Sequence, residues 1–298
     1  MKVFLTGATG FIGGHLLTSL LEAGAEVRCL TRAESHLRNL QGLEVEVFTG
    51  DLRDESSFRS GLEDCEMAFH CAADYRLYSA NPDELYESNV EGTRNLMRAA
   101  SACGVKRVVY TSSVGALGLN PDGTPADEDT PVTLDDMVGH YKRSKFLAER
   151  VADEWVEKGL PIVIVNPSTP VGEADLKPTA TGQMIVDFLN RKTPAYVDTG
   201  LNLVDVHDVA LGHVRAAERG RVGEKYILGN RDMSLREIFQ TLGEMTGLPA
   251  PKLKVPHWLP LGWAAIDTGF SRLVGRTPRV PLEAVRLSRY KMYFDPSK

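Results

Sequence analysis

The sequence is poor in cysteine and has no long apolar run. Its four cysteines lack the spacing of metal ligands, and so do its seven histidines, so no metal site is predicted. Cys29 and Cys71 lie in strand-like runs and are interpreted as small buried hydrophobic residues of a reducing cytosol. No apolar stretch approaches the roughly 18 residues that a membrane-spanning helix requires, so no transmembrane segment is predicted.

An excess of positive charge is also missing. The 34 Lys and Arg residues are outnumbered by 40 Asp and Glu residues, which gives a formal net charge of -6. A surface that binds nucleic acid is normally basic, so a nucleic-acid partner is not expected. The first apolar run begins at Lys2, which predicts that no signal or transit peptide precedes it. A cytoplasmic protein is therefore expected.

The most informative segment that is present is T-G-A-T-G-F-I-G at positions 6–13. It follows an apolar run and precedes a helical one, which is the strand–turn–helix context of a dinucleotide-binding loop. Gly7 permits the tight turn, Gly10 lets the backbone approach a pyrophosphate, and Gly13 lets the helix pack closely on the strand. The helix N-terminus would then face the phosphates. By itself, the spacing G-x-x-G-x-x-G would also suit an ordinary strand-to-helix turn.

Apolar strand runs alternate with helical stretches through the first half of the chain. Strands are predicted near 2–6, 26–31, 44–48, 66–71, 106–112 and 160–166, and helices near 12–24, 54–62, 84–103 and 137–158. Several of these strands are apolar on both faces, which indicates a parallel sheet covered by helices on both sides. The predicted fold class is therefore α/β, a doubly wound parallel sheet of the Rossmann type.

The composition of the sequence changes after about residue 166, where proline and glycine become frequent. Residues 1–166 are predicted to form an NAD(P)-binding Rossmann domain. Residues 167–298 are predicted to form mainly a smaller substrate-binding region, packed against the first without a linker. This second part is expected to contain helices near 183–191, 207–219 and 234–246 and short strands near 202–206 and 224–228. Its Trp- and Pro-bearing stretch 256–281 predicts a packed lid or core helix, with contact to a membrane or lipid as the alternative.

A second constellation combines a helical Tyr and Lys with a strand-end Ser. Tyr141 and Lys145 are four residues apart, so they share one helix face. A Lys ammonium beside a Tyr hydroxyl lowers the pKa of the phenol, and such a Tyr can exchange a proton with a carbinol oxygen during hydride transfer. Ser113 follows a strand and would hold the substrate oxygen nearby. The non-functional alternatives are that Tyr141 and Lys145 lie on a solvent-exposed helix, and that Ser112 and Ser113 are turn residues that bond nearby backbone groups.

With these features the chain resembles the extended short-chain dehydrogenase/reductase family, also called the NAD-dependent epimerase/dehydratase family, over essentially its whole length. The motifs are T-G-A-T-G-F-I-G at 6–13, G-D-L-R-D at 50–54, H-C-A-A at 70–73, S-N-V-E-G-T at 88–93, Y-T-S-S at 110–113, Y-K-R-S-K at 141–145 and N-P-S-T-P-V-G at 166–172. It is similar to the dihydroflavonol-reductase-like branch. Through D-Y-R-L-Y at 74–78 and P-A-Y-V-D-T-G-L-N at 194–202 it is also similar to bacterial proteins labelled hopanoid-associated sugar epimerases.

The resemblance implies a role for each matching position. Tyr141 would be the general acid/base, Lys145 would bind the nicotinamide ribose and tune Tyr141, and Ser113 would orient the substrate carbonyl. The implied cofactor-binding residues are Gly7, Thr9, Gly10, Phe11, Ile12 and Gly13 in the glycine loop, Asp51 and Leu52 at the adenine, Ala72 and Ala73 along the cleft, and Pro167 and Thr169 near the carboxamide. Asn89 would support the sheet rather than touch the substrate. The resemblance also implies a homodimer formed by the helices near 88–104 and 141–158.

The residue after the second strand distinguishes NAD from NADP. An acidic residue there accepts from the ribose 2′-hydroxyl of NAD, whereas an Arg accommodates the 2′-phosphate of NADP. Arg32 occupies this position, with Glu34 two residues on and Arg38 nearby, so NADP is favoured. An exchangeable NADPH fits net reduction of a carbonyl. The alternative is an epimerase or dehydratase acting on a sugar or a sugar-bearing lipid. A non-catalytic dinucleotide sensor ranks last because Tyr141 and Lys145 are both present.

Overall fold

The computed structural model describes residues 1–274, 276, 278 and 281–298. Its strands are β1 Lys2–Thr6, β2 Glu26–Thr31, β3 Glu46–Thr49, β4 Met67–His70, β5 Arg107–Thr111, β6 Ile162–Pro167, β7 Thr169–Val171, β8 Ala195–Tyr196, β9 Gly200–Asp205, β10 Lys225–Leu228, β11 Arg231–Ser234, β12 Leu253–Lys254 and β13 Lys291–Met292. Its helices are α1 Phe11–Glu22, α2 Asp83–Tyr86, α3 Gly92–Ala102, α4 Gly139–Glu157, α5 Ala180–Leu189, α6 Val206–Arg219, α7 Leu235–Thr246, α8 Trp258–Val274 and α9 Leu282–Leu287.

Seven parallel strands form the central sheet, in the order β10-β6-β5-β4-β1-β2-β3. Because side chains alternate along a strand, each strand contributes to both faces. In β6, Ile162 and Ile164 pack on the side of α3 and α4, whereas Val163 and Val165 pack on the side of α1 and α6. All four side chains are fully buried. The predicted doubly wound Rossmann sheet is confirmed.

The strand order reverses between β1 and β4. The chain winds outward from β1 through β2 to β3, and then returns across β1 to continue with β4, β5 and β6. Loops that follow the strands on the two sides of this point leave in opposite directions and open a crevice at the carboxyl ends. The crevice is where this architecture places its ligands.

The last strand of the sheet comes from the second half of the sequence. β10 pairs in parallel with β6, with Tyr226 opposite Val165, and α6 packs against α1. Both elements follow the predicted boundary at residue 166. The first structural unit is therefore completed by residues from 206 to 228, and the remainder after residue 166 forms the smaller region.

The helix before β5 is interrupted. α2 leads into a π-helical turn at Glu87–Glu91, and α3 continues from there. The predicted helix at 54–62 is instead two short 3-10 turns, Glu55–Ser57 and Arg59–Leu62, the first of which is capped by Asp54. In the smaller region, β9 pairs with β7, β11 and β13, and β8 pairs with β12.

Helix α8 forms within the Trp-bearing stretch as predicted, but it is not the core helix that was one of the two expectations. Trp258, Trp263, Ile266 and Phe270 are all more than half exposed, so these side chains do not form a packed core. The side chains that α8 buries are small or polar, namely Ala264, Asp267, Thr268 and Ser271. An amphipathic pattern predicts a helix with one apolar face but does not identify what covers that face. Residues 275, 277, 279 and 280 of the predicted stretch, and the side chain of Leu273, lie outside the described residues.

Within the described ranges, no helix combines the length and the apolarity needed to cross a membrane.

Candidate active site

The predicted site residues lie at the carboxyl ends of the central strands. The loop between β1 and α1 contains Gly7, Thr9 and Gly10, and α1 begins with Phe11, Ile12 and Gly13. Four further groups each follow a strand: Arg32 follows β2, Asp51 and Leu52 follow β3, Ala72 and Ala73 follow β4, and Ser113 follows β5. Tyr141 and Lys145 lie in α4, Pro167 ends β6 and Thr169 begins β7. Because the strands are parallel, their carboxyl ends share one edge of the sheet. The fold therefore gathers residues from seven separate segments around one crevice.

The glycine loop is shaped by close backbone contacts. Gly7 has a φ of +82°, and a Cβ added there would lie 2.6 Å from the backbone nitrogen of Ala72. A Cβ on Gly13 would lie 2.0 Å from the carbonyl oxygen of Gly7. Both distances are shorter than atoms can approach, so neither position accepts a side chain without a backbone shift. Asn39 braces the loop, since its Nδ2 lies 3.3 Å from the carbonyl oxygens of Thr9 and Gly10.

These contacts test whether the loop fits a dinucleotide. Gly10 is the N-cap of α1 and makes no side-chain cap, so no capping side chain occupies the N–H groups at the start of the helix. N–H groups at such a helix start attract phosphate oxygens. The residues present therefore fit a pyrophosphate, and their spacing differs from G-x-G-x-x-G without losing that property.

Ser113 is fixed at the end of β5. It caps the short 3-10 helix Val114–Ala116, and its Oγ accepts a hydrogen bond of 3.0 Å from the backbone N–H of Gly115. The Nδ2 of Asn166 donates to the carbonyl oxygen of Ser113 at 3.1 Å. With its oxygen engaged as an acceptor, the Ser113 hydroxyl retains a proton to donate.

Tyr141 lies in the first turn of α4 and is paired with Ser113. Burial raises the pKa of the Tyr141 phenol, and the hydrogen bond from Ser113 acts in the opposite direction. The phenol is therefore protonated at neutral pH, which is the state that a general acid needs.

Lys145 is oriented differently from the prediction. Its ammonium is buried and donates to the carbonyl oxygen of Thr111 at 2.8 Å and to the hydroxyl of Tyr110 at 3.3 Å. Burial lowers the pKa of Lys145 to about 8, although the carboxylate of Glu149 acts to raise it. The expected lowering of the Tyr141 pKa by Lys145 is not seen in this geometry, because the ammonium is held against β5. Helical spacing predicts a shared face but does not fix the direction of a long side chain.

A buried carboxylate beneath these residues was missed by the sequence reasoning. Glu149, which is fully buried, accepts hydrogen bonds from the Ser112 hydroxyl at 2.5 Å, the Nδ2 of Asn166 at 2.9 Å and the ammonium of Lys225 at 2.6 Å. It ties α4 to the ends of β5 and β6 and to β10. Its signal in the sequence is the spacing from Lys145, since the two residues are four apart on the same helix face.

Arg32 and Asp51 stand at the outer end of the crevice. The Arg32 side chain is 62% exposed, and its Nε lies 3.4 Å from a carboxylate oxygen of Glu34. The carboxylate of Asp51 is held by Arg53, whose Nε and NH2 lie 2.6–3.1 Å from it, and this lowers the pKa of Asp51. Leu52 packs toward α3, where the Nδ2 of Asn95 donates to its carbonyl oxygen at 2.9 Å.

Buried polar residues brace the strand ends that carry this crevice. His70 bonds the hydroxyls of Thr6 and Thr93 at 2.8 and 3.0 Å, and burial lowers its pKa to about 3, so it is neutral. The hydroxyl of Thr6 also accepts from the backbone N–H of Ala72 at 3.2 Å, which links β1 to the loop after β4.

Asn89 has the structural role that was expected, although it supports a loop rather than the sheet. Its side chain accepts from the backbone N–H of Asp74 at 2.7 Å and donates to the carbonyl oxygen of Asp74 at 2.8 Å and to the hydroxyl of Ser144 at 2.9 Å. The π-helical turn that carries Asn89 thus holds the loop after β4 against α4.

No group of three or more His, Cys, Asp and Glu side chains among the described residues is arranged to hold a metal ion. The four cysteines are free thiols, and burial raises the pKa of Cys29 to about 12 and that of Cys71 to about 11. Neither thiol is ionised at neutral pH.

Comparisons with known proteins agree with this geometry. The NAD dependent epimerase/dehydratase family model matches residues 3–229. A provisionally named dihydroflavonol 4-reductase from Synechocystis sp. is 47% identical over 99% of this chain and 87% of its own length. Sterol demethylase protein B from Methylococcus capsulatus is 37% identical over 96% of this chain and 88% of its own length. The crystal structure of gox2253 superposes with a TM-score of 0.88 at 44% identity, covering 99% of this chain and 90% of that one.

The matched region contains the glycine loop, the strand-end serine and the helical Tyr and Lys, and it extends through β10, the last strand of the central sheet. A family match of this extent, together with relatives aligned over nearly the whole chain, settles membership. This chain is an enzyme that belongs to the NAD-dependent epimerase/dehydratase family, within the extended short-chain dehydrogenases/reductases.

Proposed function

We propose that this enzyme is an NADP-dependent reductase that adds hydride to a carbonyl group, with Tyr141 as the general acid. The observation that carries the proposal is the pairing of Tyr141 with Ser113 at the carboxyl end of β5. Ser113 follows β5 at the edge of the sheet that also carries the glycine loop, and Tyr141 lies in the first turn of α4. Hydroxyl donors and a dinucleotide loop on one edge suit reduction of a carbonyl.

Tyr141 and Ser113 would act on the same substrate oxygen. Ser113 would turn its hydroxyl proton from the Tyr141 phenol to the carbonyl oxygen and orient it, since its own oxygen already accepts from Gly115. Tyr141 would transfer its proton to that oxygen as negative charge develops there. Burial raises the pKa of Tyr141, which keeps the phenol protonated until negative charge develops on the carbonyl oxygen.

Lys145 would serve the cofactor and the phenolate together. Its ammonium has three donors, of which the Thr111 carbonyl and the Tyr110 hydroxyl accept two. The third donor is free for a ribose hydroxyl. Stabilisation of the Tyr141 phenolate by the same charge would require the ammonium to turn from the Thr111 carbonyl toward the phenol. The bound dinucleotide would supply the hydride.

The pyrophosphate end of the cofactor would be held by the glycine loop and the start of α1, at Gly7, Thr9, Gly10, Phe11, Ile12 and Gly13. The adenine would contact Asp51 and Leu52, and the carboxamide would contact Pro167 and Thr169. Ala72 and Ala73 would form the wall of the cleft. The preference for NADP rests on Arg32. Its guanidinium is mostly exposed and paired only loosely with Glu34, so a 2′-phosphate can replace that carboxylate as its partner.

The second candidate is an epimerase or dehydratase acting on a sugar or a sugar-bearing lipid. The observation that favours it is Glu34, whose carboxylate lies beside Arg32 and is able to accept a hydrogen bond from the 2′-hydroxyl of NAD. A retained NAD would take up and return the hydride within one turnover. The name of the relative sterol demethylase protein B supports a lipid substrate, whereas the dihydroflavonol 4-reductase name supports the reductase.

The deciding experiment starts with the nucleotide that accompanies the purified protein. Mass spectrometry would identify any retained dinucleotide, and calorimetry would compare NADPH with NADH. The reductase proposal predicts exchangeable NADPH that binds more tightly than NADH, and NADPH oxidation with a panel of aldehydes and ketones. Retained NAD that survives gel filtration, with no carbonyl reduced, would favour the second candidate. Absence of any dinucleotide binding would contradict both.

We also propose that the enzyme works in the cytoplasm as a homodimer, joined through α4 and the helical stretch from α2 to α3. The support is the resemblance to the family. Sedimentation velocity tests the dimer: a single species near twice the mass of one chain is expected, and a monomer at micromolar concentration would contradict it.

A further inference from the structure

Lys142 is a buried cation that has no anionic partner among the described residues. Only 8% of the residue is exposed. Its Nζ has one hydrogen-bond acceptor among the described residues, the thioether sulfur of Met292 at 3.8 Å. No carboxylate in the described part of the chain forms an ion pair with it, in contrast to Lys225, which pairs with Glu149 at 2.6 Å.

Such an ammonium is unusual because burying an unpaired charge is costly. A buried charge is normally paired or bound to a ligand, and a thioether is a weak acceptor for one of the three N–H donors. Burial lowers the pKa of Lys142 to about 8, with no nearby charge acting on it. Burial without a partner destabilises a lysine that has only a structural role. A lysine that binds an anionic ligand has its charge compensated when the ligand is bound.

The position of Lys142 joins the two parts of the site. It follows Tyr141 directly in α4, and its stem runs past Gly115, where an added Cβ would lie 3.6 Å from the Lys142 Cγ and 3.2 Å from the Ser113 Oγ. Its ammonium reaches Met292 in β13, which pairs with β9 of the smaller region. The charge is therefore placed between the hydroxyls proposed for catalysis and the region predicted to bind substrate.

From this arrangement we infer that Lys142 binds an anionic oxygen group of the substrate, a carboxylate or a phosphate, close to the reacting carbonyl. The inference deepens the proposed function and rests on it, since it assigns a substrate class to the same crevice. A neutral alcohol or ketone would leave the ammonium unpaired, whereas an oxyanion would accept charge-assisted hydrogen bonds from it. The enzyme would thus select carbonyl compounds that carry an acidic group.

Calorimetry with small probes tests the inference without knowledge of the substrate. Benzoate, phenyl phosphate and benzyl alcohol would each be titrated into the protein saturated with NADP, or into the free protein if NADP does not bind. We expect at least one of the two anions to bind tenfold or more tightly than benzyl alcohol. The stronger anion distinguishes a carboxylate substrate from a phosphate one. Equal affinities, or no binding of either anion, would overturn the inference.

Three variants assign the preference to this residue. Lys142→Met removes the charge at nearly constant volume and should abolish the preference for anions, and Lys142→Gln should do the same while keeping a hydrogen-bond donor. Lys158→Met, at the exposed end of the same helix, makes the same change in net charge and should retain the preference. If the preference survives in both Lys142 variants, the inference is wrong.

The same titrations separate this inference from the proposed function. Tyr141→Phe should keep the anion preference, because the anion contacts Lys142 and not the phenol. Failure of the wild-type protein to bind NADP or to reduce any carbonyl would contradict the reductase while leaving the anion preference measurable. Loss of the preference with carbonyl reduction intact would contradict only the role of Lys142.

Discussion

The Ser112 hydroxyl donates a hydrogen bond of 2.5 Å to the carboxylate of Glu149, and both residues are buried. Ser112 directly precedes Ser113, and Asn166, which also donates to Glu149, donates to the carbonyl oxygen of Ser113. One carboxylate on α4 thus holds two strand ends in register with the helix that carries Tyr141.

Replacing Glu149 should therefore destabilise the protein. Glu149→Gln removes the buried carboxylate that pairs with Lys225 at 2.6 Å and leaves only the longer contact of Lys225 with Asp153 at 3.7 Å, and removing one member of a buried ion pair costs up to about 3–5 kcal/mol. Urea unfolding would measure the change. Glu154→Gln on the same helix is the control, because its partner Arg94 lies at the surface and such pairs contribute less than about 1 kcal/mol. Equal losses in the two variants would contradict the role given to Glu149.

A methyl group at Gly13 should disrupt the glycine loop. In Gly13→Ala the new Cβ meets the carbonyl oxygen of Gly7 at 2.0 Å, so the loop must move away from the start of α1. We expect dinucleotide affinity, measured by calorimetry, to fall by at least a hundredfold. Gly262→Ala is the matched control, because its Cβ meets nothing within 4 Å and Ala favours a helix over Gly by about 0.5–1 kcal/mol. Unchanged affinity in Gly13→Ala would remove this loop from the cofactor site.

The preference for NADP should depend on the charge at residue 32. Arg32→Asp places a carboxylate where the 2′-phosphate would bind, which repels NADPH and offers an acceptor to the ribose 2′-hydroxyl of NADH. The ratio of the two dissociation constants should change by at least a hundredfold in favour of NADH. Arg236→Asp, an exposed position in α7, makes the same change in charge and should leave the ratio unaltered. If Arg32→Asp leaves it unaltered too, Arg38 is the next residue to test.

Some elements of the fold can be predicted from local sequence patterns, and others depend on tertiary packing. The order of β1 to β6 follows from alternating elements and right-handed crossovers, which are local and general rules. β10 is only four residues long and follows a region rich in proline and glycine, so nothing local assigns it to the edge of β6. The apolar face of α8 is visible in the sequence, but its exposure depends on the tertiary packing.

The site shows the same division. The glycine loop, Ser113 and the Tyr141–Lys145 pair are predictable because their chemistry requires fixed residue types at fixed spacing. The direction of the Lys145 ammonium, by contrast, is set by the Thr111 carbonyl on a neighbouring strand, and the partners of Glu149 come from three separate elements. Contacts of this kind depend on how the elements assemble and leave no local pattern.

Removal of the unpaired charge at Lys142 should stabilise the protein in a pH-dependent way. Burial lowers the pKa of Lys142 from 10.5 to about 8, so the cost of burying its charge is present below pH 8 and disappears as the pH rises to 10.5. Lys142→Met should therefore raise the free energy of unfolding at pH 7 by up to about 3 kcal/mol, and the gain should shrink between pH 8 and 10.5.

The comparison between variants isolates this effect. Cys29 and Cys71, whose pKa values are raised by burial, lower the stability of every variant alike as the pH rises above 9. Lys158→Met reports the effect of removing an exposed lysine whose ammonium lies 4.7 Å from the centroid of the Trp155 ring, and it should change the free energy of unfolding by less than about 1 kcal/mol. A gain in Lys142→Met that is independent of pH would show that better packing, and not the charge, is responsible.

The role of Tyr141 can be tested by removal of a single oxygen atom. Tyr141→Phe keeps the ring in place but has no proton to give, so carbonyl reduction should fall by at least about a thousandfold, near the upper range for a general acid. Calorimetry should give a dissociation constant for NADPH within threefold of wild type, because the phenol would contact the substrate. Tyr290→Phe, at an exposed position, should retain full activity and exclude a general effect of losing a phenol.

Since the Ser113 hydroxyl remains in Tyr141→Phe, any residual rate should disappear in the double variant with Ser113→Ala. Turnover that survives in Tyr141→Phe would assign the proton to another group, and Lys145, buried nearby with a pKa of about 8, would then be the donor to test.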